Sequence, residues 1–173
     1  ATTPWGSVSW AMSVPGAHMA LNAAAAIAVS GVCGVDIHSA AAALEQSSVS
    51  PMRMQVITTD DGMTIINDAY NANPASMRAA LDTLAGMKAS RHVVIAGQMA
   101  ELADSAAEHG AIVEYAQSKS IEFIACETEN YATSPHSIED AVKRVRDGGT
   151  DVAVLVKGSR VAALERVVQL LTR

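Results

Sequence analysis

The chain has 173 residues, half of them hydrophobic and only 3% aromatic, and its formal net charge is −6. This composition allows one ample domain, or one domain and a piece of another. It argues against a nucleic-acid-binding protein, which needs a basic face and aromatic residues for base stacking.

Cysteine usage and hydropathy indicate a cytoplasmic protein. Cys33 and Cys126 are far apart and form no C-x-x-C motif, so we expect two reduced, buried thiols rather than a disulfide. No apolar run approaches the roughly 18 residues that suggest a membrane span. The first residues lack a basic stretch followed by an apolar core, so we expect neither a signal peptide nor membrane insertion.

The first third of the chain is predicted to be mainly helical. The predicted elements are a short strand over Ser9–Val14, a helix over His18–Ser30 and a helix over Ile37–Gln46 that Asp36 can cap. The first helix is apolar on nearly every face, so we expect it to be buried. Asn22 lies within it and would then be a hydrogen-bonded core asparagine, since a buried unpaired amide is costly. The polar stretch after the second helix predicts a linker, which divides the chain into residues 1–51 and 52–173.

From Met54 onwards the sequence alternates between strand and helix patterns. Predicted strands cover residues 54–59, 63–67, 92–96, 121–126 and 152–156, and predicted helices cover residues 74–88, 105–119, 137–146 and 159–171. The last helix places Val161, Leu164, Val168 and Leu171 on one face. Asp61-Gly62 between the first two strands favours a hairpin. The alternation predicts an α/β fold, Rossmann-like, with a mostly parallel sheet and helices on both faces.

A polar turn separates the second strand of this series from its helix. Asp68, Tyr70, Asn71 and Asn73 follow the strand directly, and Pro74 suits the first position of the helix. Asn73 can cap that helix. Such residues are also common in ordinary turns. However, the carboxyl edge of an open α/β sheet is where ligands bind, so this turn is the candidate site.

Four stretches resemble motifs of the Mur ligase family, in its MurF branch. NDAYNANPASM, Asn67–Met77, is similar to the signature that opens the C-terminal domain of those enzymes. VLVKGSR, Val154–Arg160, resembles the stretch before their final helix, and GQMAEL, Gly97–Leu102, resembles a third motif, with Ala103 in place of its last glycine. HMALN at the start of the first helix resembles the H-N-x-x-N pattern that ends their ATPase domain, with Met19 in place of its first asparagine.

The resemblance implies a ligase that uses ATP and Mg²⁺ to form an acyl phosphate. The enzyme then joins D-alanyl-D-alanine to UDP-N-acetylmuramoyl-tripeptide in peptidoglycan synthesis. It implies nucleotide-binding roles for Asn22 (adenine), His18, Arg53 (phosphates) and Asp68 (ribose). It implies dipeptide-binding roles for Asn71, Asn73, Lys157 and Ser159. We interpret Glu101 and His109 as solvated helix-end or surface groups, with a functional role as the alternative.

The resemblance covers a tail of the ATPase domain, a linker and the C-terminal domain. The 173 residues contain no G-x-x-x-x-G-K-[ST] motif, and phosphoryl transfer needs such a loop and metal ligands. We therefore assign no catalytic residue to this chain and expect it to be inactive alone. The five histidines show no metal-ligand spacing. Alternatives are a non-catalytic dipeptide- or nucleotide-binding module, a degenerate remnant, or a related ligase such as folylpolyglutamate synthase, whose corresponding turn usually reads D-G-A-H-N-P.

Overall fold

A computed structural model of the chain describes residues 1–12, 14–47, 50–100 and 102–173. The chain folds as two compact units, residues 1–49 (unit 1) and residues 50–173 (unit 2). Within the described ranges, no helix has both the length and the apolar character needed to cross a membrane.

Unit 1 consists of a small hairpin and two helices. Its elements are β1 (Thr2–Thr3), β2 (Gly6–Ser7), α1 (Ala17–Val32) and α2 (Ile37–Gln46). The predicted helices are confirmed, and the Asp36 carboxylate caps α2 by accepting a 2.8 Å hydrogen bond from Ser39 N. The predicted strand over Ser9–Val14 is wrong for the described residues 9–12 and 14, which have no strand. The antiparallel pairing lies earlier in the chain, between β1 and β2.

The expectation that α1 is buried on all sides is also wrong. Leu21, Val29 and Val32 are 72%, 62% and 77% exposed. Only one stripe of the helix is buried, formed by Ala23, Ile27 and Gly31 at four-residue spacing. Unit 1 offers one partner helix and one small hairpin, which cannot cover an apolar helix all round.

Unit 2 is an α/β domain built on a five-stranded sheet. Its elements are β3 (Gln55–Thr58), β4 (Thr64–Asp68), α3 (Pro74–Ala85), β5 (Arg91–Ala96), α4 (Ser105–Ser118), β6 (Glu122–Ala125), α5 (Ile138–Asp147), β7 (Val152–Lys157), a 3₁₀ turn (Arg160–Ala162) and α6 (Glu165–Leu171). The strand order is β3-β4-β7-β5-β6. β3 pairs antiparallel with β4 through the predicted hairpin, and the other pairings are parallel. The predicted fold class is confirmed.

The hydrophobic core follows from the alternation of side chains along the strands. Ile65, Val93 and Val154 belong to a fully buried cluster that includes residues of α5 and α6. Their neighbours Ile66, Val94 and Leu155 are also fully buried. Because successive side chains of a strand point to opposite faces, these neighbours lie on the other face of the sheet. The sheet is therefore covered on both faces, as its near-continuous apolar strands require.

The predicted last helix is interrupted. The chain forms a 3₁₀ turn and then α6, and Ala163 between them has a left-handed φ of +48°. Leu164, Val168 and Leu171 are buried as expected, but Val161 is 69% exposed. A continuous helix would have placed Val161 and Leu164 on one face. The break lets Leu164 pack tightly against Gly97 and Gly158.

The two cysteines differ, since Cys33 is exposed and only Cys126 is buried. The expectation of two buried thiols is therefore wrong for Cys33. Burial raises the pKa of the Cys126 thiol to about 12. Because the thiolate is the reactive species, a buried thiol with a raised pKa is inert.

We therefore expect one fast and one slow thiol when the folded chain is treated with a disulfide-exchange reagent such as DTNB. Cys33 should react within minutes, and Cys126 should react only after urea unfolds the chain. The measurement is the absorbance change per mole of chain. The Cys33→Ser variant serves as the control and should abolish the fast phase. Two fast thiols in the unmodified chain would contradict the burial of Cys126.

Candidate functional site

The candidate site lies where strands β4 and β7 end side by side. The two strands are parallel, and their last residues, Asp68 and Lys157, are direct partners in the register. After β4 the chain continues into α3, and after β7 it continues into the 3₁₀ turn and α6. In open α/β sheets, ligands bind outside the carboxyl ends of neighbouring strands whose connections leave in different directions. We call the edge formed by the ends of β4 and β7 and the polar turn the crevice.

A buried ion pair joins the ends of the two strands. Lys157 Nζ lies 2.5 Å from Asp68 Oδ2, and the two side chains are 2% and 14% exposed. Lys157 Nζ also donates a 2.8 Å hydrogen bond to the Asn71 carbonyl oxygen. A buried ammonium needs such partners because desolvation is costly. Sequence reasoning assigned these two residues to different ligands, whereas the structure brings them together as one unit.

The turn above the ion pair is shaped by its asparagines. Asn73 Oδ1 accepts a 2.8 Å hydrogen bond from Ser76 N, and Ser76 Oγ accepts a 3.1 Å hydrogen bond from Asn73 N. This reciprocal capping box, with Pro74 at the first position, fixes the start of α3. The predicted cap is therefore confirmed. Asn71 Oδ1 accepts a hydrogen bond from Ala72 N, and both asparagines are exposed to solvent.

Ser159 joins the crevice to the loop that follows β5. The Ser159 hydroxyl accepts a 2.8 Å hydrogen bond from Ala100 N, and Ser159 N donates to Gln98 O at 2.9 Å. The hydroxyl can also donate to Ala72 O at 3.4 Å. Ser159 is buried. It thus holds three chain segments together rather than pointing into solvent.

Residues 52–54 lie against the polar turn. Asp68 Oδ1 accepts a 3.0 Å hydrogen bond from Met54 N, and Tyr70 N donates to Met52 O at 3.2 Å. The guanidinium of Arg53 lies over the Tyr70 ring, with Cζ 4.0 Å from the ring centroid. Arg53 is exposed, so its N–H groups are accessible at the edge of the crevice.

Glu101 of the GQMAEL stretch and His109 of α4, which we interpreted as surface groups, have different outcomes. Glu101 lies outside the described residues. His109 is fully buried, so its interpretation as a solvated group is wrong. His109 Nε2 accepts a 2.9 Å hydrogen bond from Met99 N, and Nδ1 lies 2.6 Å from Ser105 O. The ring also packs edge-on against Tyr131, with centroids 4.6 Å apart.

These contacts give His109 a structural role. Nε2 must be unprotonated to accept from Met99 N, and Nδ1 then carries the proton that is donated to Ser105 O. The Tyr131 hydroxyl donates to Gly97 O at 2.8 Å, and burial raises the pKa of this hydroxyl well above its ordinary value. The buried pair of rings therefore anchors the loop after β5, which carries the backbone partners of Ser159. Sequence reasoning missed this because a histidine in a polar stretch gives no sign of tertiary burial.

The two remaining predicted residues belong to unit 1. Asn22 is exposed, not buried as its apolar helix suggested, and its Nδ2 lies 3.9 Å from Met19 Sδ. With Met19 and Leu44 it lines an apolar cavity of about 190 Å³. His18 is half-buried in the first turn of α1. Asn22 therefore has an exposed amide beside an apolar surface.

Sequence reasoning did not single out two further residues that shape the site. Tyr70 was noted only as part of the polar turn, yet its ring forms a cation–π contact with the guanidinium of Arg53. Met54 was taken as a strand residue, yet its backbone N–H occupies one oxygen of Asp68. The signal that could have pointed to Tyr70 is an aromatic residue within an otherwise small and polar turn.

Within residues 1–12, 14–47, 50–100 and 102–173, no three His, Cys, Asp or Glu side chains form a cluster that could hold a metal ion. The crevice offers instead an exposed guanidinium, two exposed amides and a carboxylate already paired with a lysine. This donor set suits hydrogen bonding to carboxylate, phosphate and hydroxyl groups.

Comparison with known proteins gives a family match over most of the chain. The family described as "Mur ligase, glutamate ligase domain" matches residues 52–173. The Escherichia coli UDP-N-acetylmuramoyl-tripeptide–D-alanyl-D-alanine ligase is 34% identical over an alignment that covers 98% of this chain and 40% of that protein. The chain thus spans less than half the length of this relative.

Solved structures show the same fold. A crystal structure of MurF from Acinetobacter baumannii has a TM-score of 0.86 and 26% identity, covering 98% of this chain and 40% of that chain. A structure titled as MurF ligase from Thermotoga maritima in complex with ADP has a TM-score of 0.76 and 22% identity, covering 92% of this chain and 39% of that chain. A folylpolyglutamate synthase from Yersinia pestis is more distant, with a TM-score of 0.57 and 17% identity over 79% of this chain and 35% of that chain.

Proposed function

Because the chain belongs to the Mur ligase family through residues 52–173, we propose that it is the C-terminal part of an ATP-dependent ligase that adds D-alanyl-D-alanine to UDP-N-acetylmuramoyl-tripeptide in peptidoglycan synthesis. The observation that carries the proposal is the match to the Escherichia coli relative, which extends over nearly the whole chain, unit 1 included. Residues 1–51 are then a tail of the ATPase domain with the linker, and residues 52–173 are the C-terminal domain. Use of ATP and a UDP-linked substrate would place the enzyme in the cytoplasm.

Each unit holds residues for which we propose a nucleotide-binding role. In unit 1, Asn22 would bond the adenine, since its amide is exposed beside an apolar cavity, and His18 would lie nearby. In unit 2, Asp68 would accept hydrogen bonds from the ribose hydroxyls. Both of its oxygens already have partners, but a carboxylate has about four lone-pair sites and can accept more. The exposed guanidinium of Arg53 would bond the phosphates.

The dipeptide would bind over the polar turn. Asn71 and Asn73 present exposed amides there, and each amide N–H₂ can donate to a carboxylate or a peptide carbonyl. Lys157 and Ser159 are buried and would support the polar turn through its backbone carbonyl groups. Lys157, paired with Asp68, holds the Asn71 carbonyl oxygen in place, and Ser159 fixes the segment after β7. Amide donors and a helix N-terminus together favour the carboxylate of D-alanyl-D-alanine.

The phosphoryl-transfer step itself needs groups beyond these residues. The chain has no P-loop motif, and its described residues offer no metal-ligand cluster. ATP bound with Mg²⁺ would supply the activated phosphoryl group. The contribution of this chain would be to orient the nucleotide and to hold the dipeptide amine where it can attack.

The dipeptide site can be tested by titrating D-alanyl-D-alanine into the ¹⁵N-labelled chain and following amide chemical shifts. We expect saturable shifts that cluster in residues 68–73 and 157–159, and much weaker shifts with L-alanyl-L-alanine. Asn71→Ala should weaken binding about ten- to hundredfold, because a hydrogen bond to a charged group contributes about 1.5–3 kcal/mol. Asn130→Ala, an exposed asparagine beyond β6, is the matched control and should bind normally.

Saturable shifts elsewhere in the chain, or equal binding of both stereoisomers, would contradict this placement of the dipeptide.

A second test addresses the proposal that phosphoryl transfer needs groups beyond the residues of this chain. The chain given ATP, Mg²⁺, tripeptide precursor and dipeptide should release neither ADP nor phosphate. Measurable release would show that this chain suffices for turnover, which would contradict the expectation that follows from the missing P-loop motif.

A further inference from the structure

The segment that carries Arg53 is held in a disfavoured conformation. Met52 and Met54 have φ values of +62° and +50°, and neither is glycine. Residues other than glycine rarely adopt this left-handed region, and they remain there only when surrounding contacts hold them. One such residue stands on each side of Arg53. The backbone position of Arg53 is therefore set by the contacts that hold these two residues.

The contacts come from the polar turn of unit 2. On one side of Arg53, Met54 N donates to Asp68 Oδ1 at 3.0 Å, and the Met54 side chain is buried. On the other side, the Met52 carbonyl oxygen accepts a 3.2 Å hydrogen bond from Tyr70 N. The backbone on each side of Arg53 is thus tied to Asp68 or Tyr70.

The side chain of Arg53 is held by the same turn. Its guanidinium carbon Cζ lies over the Tyr70 ring, 4.0 Å from the ring centroid, which is a cation–π contact. Tyr70 is 43% exposed, so its ring is not needed to fill a core. A cation–π contact does not consume the N–H donors of the guanidinium, and because Arg53 is exposed these donors remain accessible to a ligand.

The surroundings of this pair favour an anion. A second guanidinium, that of Arg160, reaches the same segment, with Nη1 3.6 Å from Met52 Sδ. Its charge is shared with Glu165 at 2.8 Å. The Asp68 carboxylate, which would repel an anion, is neutralised by its contact with Lys157. A phosphate group at the exposed guanidinium of Arg53 would therefore meet a net positive surface.

We propose that Tyr70 is the positioning residue for Arg53, which it holds ready to bond the phosphate groups of the nucleotide. This inference rests on the proposed function, in which Arg53 binds phosphate. Stacking restricts the rotamers of a long side chain before the ligand arrives, so less conformational entropy is lost on binding. Tyr70 itself need not touch the nucleotide.

Two measurements on the folded chain test this inference, beginning with the contact itself. In the NMR spectrum, the Arg53 side-chain protons should show an upfield ring-current shift that Tyr70→Phe preserves and Tyr70→Leu removes. The thermal unfolding midpoint should stay the same in both variants, because the ring is half exposed. Loss of stability in Tyr70→Leu, or no change in the Arg53 shifts, would point to a structural role or no role, and either would overturn the inference.

The second measurement is the affinity for ADP, titrated calorimetrically into the same variants. Tyr70→Phe should bind ADP within about twofold of the unmodified chain, and Tyr70→Leu should bind about three- to fivefold more weakly. Arg53→Gln should weaken binding further, and adding Tyr70→Leu to it should cause no additional loss. Tyr115→Leu removes a comparable ring of α4, which lies under the guanidinium of Arg78 in α3, and should leave ADP affinity unchanged.

Three outcomes of the ADP titration would overturn the inference. Equal affinity of Tyr70→Leu and the unmodified chain would show that the stacking has no effect on binding. An undiminished Tyr70→Leu effect in the Arg53→Gln background would show that the tyrosine acts independently of the arginine. In both cases the unmodified chain binds ADP and the proposed function stands. No saturable ADP binding by the unmodified chain would instead contradict the phosphate role of Arg53 in the proposed function, and the inference with it.

Discussion

Replacement of Lys157 by methionine is expected to destabilise the chain by about 3 kcal/mol, because breaking a buried ion pair leaves its partner charge uncompensated. Methionine has a similar length and fills the space. However, the Asp68 carboxylate, whose side chain is only 14% exposed, loses its counter-charge. The Asn71 carbonyl oxygen loses its donor as well. The measurement is the free energy of unfolding from urea titration, followed by circular dichroism.

The ion-pair origin of this loss can be checked with a double-mutant cycle. Asp68→Asn keeps an oxygen that can accept from Met54 N but removes the charge, so Asp68→Asn with Lys157→Met should be more stable than the sum of the single losses implies. Lys143→Met is the control, because Lys143 forms an exposed ion pair with Asp147. Exposed pairs contribute little, so its midpoint should hardly change. A similarly small change for Lys157→Met would contradict a stabilising role for the buried pair.

The ion pair also decides how ligand-binding data on the crevice should be interpreted. Because Lys157 holds Asp68 and the Asn71 carbonyl oxygen, its substitution disturbs both the proposed ribose contact and the polar turn, over which the dipeptide is proposed to bind. Weakened binding of either ligand by a Lys157 variant would therefore not identify which ligand the lysine serves. Asn71→Ala is the cleaner variant for the dipeptide, since its side chain is exposed and its hydrogen bond is local.

Gly97→Ala is expected to destabilise the chain by about 1–3 kcal/mol through overpacking. A Cβ atom at Gly97 would lie 2.7 Å from the Ala162 Cβ and 3.0 Å from Leu164 Cδ1. The 3₁₀ turn after β7 would have to move away from the loop after β5. Since Ser159 links these segments, the movement should also disturb the crevice. Urea unfolding and the Ala100 amide chemical shift would report the two effects.

A second glycine gives a matched control, in which the same substitution should change stability in the opposite direction. Gly110 lies inside α4, and a Cβ there meets nothing within 4 Å among the described residues. Gly110→Ala should stabilise the chain by up to about 1 kcal/mol, because alanine is the better helix former. Ala162→Gly, which removes one clashing methyl group, should restore part of the loss in Gly97→Ala. Destabilisation by Gly110→Ala and none by Gly97→Ala would reverse the expected order and contradict the packing argument.

Local patterns in the sequence determined most of the elements of unit 2. The Asp61-Gly62 hairpin, the Asn73 cap with Pro74 behind it and the alternation of apolar strands with helices all act over a few residues. Such signals depend on backbone conformation and capping, which neighbouring residues decide. The carboxyl edge was identified as the candidate site for the same reason, since the polar turn follows a strand directly.

The tertiary structure alone decided which of these residues meet. Asp68 and Lys157 are 89 positions apart, and they pair because β7 inserts between β4 and β5, an order that the sequence of elements does not reveal. The same holds for His109, which is buried by a tyrosine from another segment, and for Leu164, whose packing on two glycines accompanies the break in the last helix. In unit 1 the apolar pattern of α1 predicted burial, but burial depends on how much partner surface is present. The sequence therefore determined local conformation, whereas long-range packing determined charge pairing and burial.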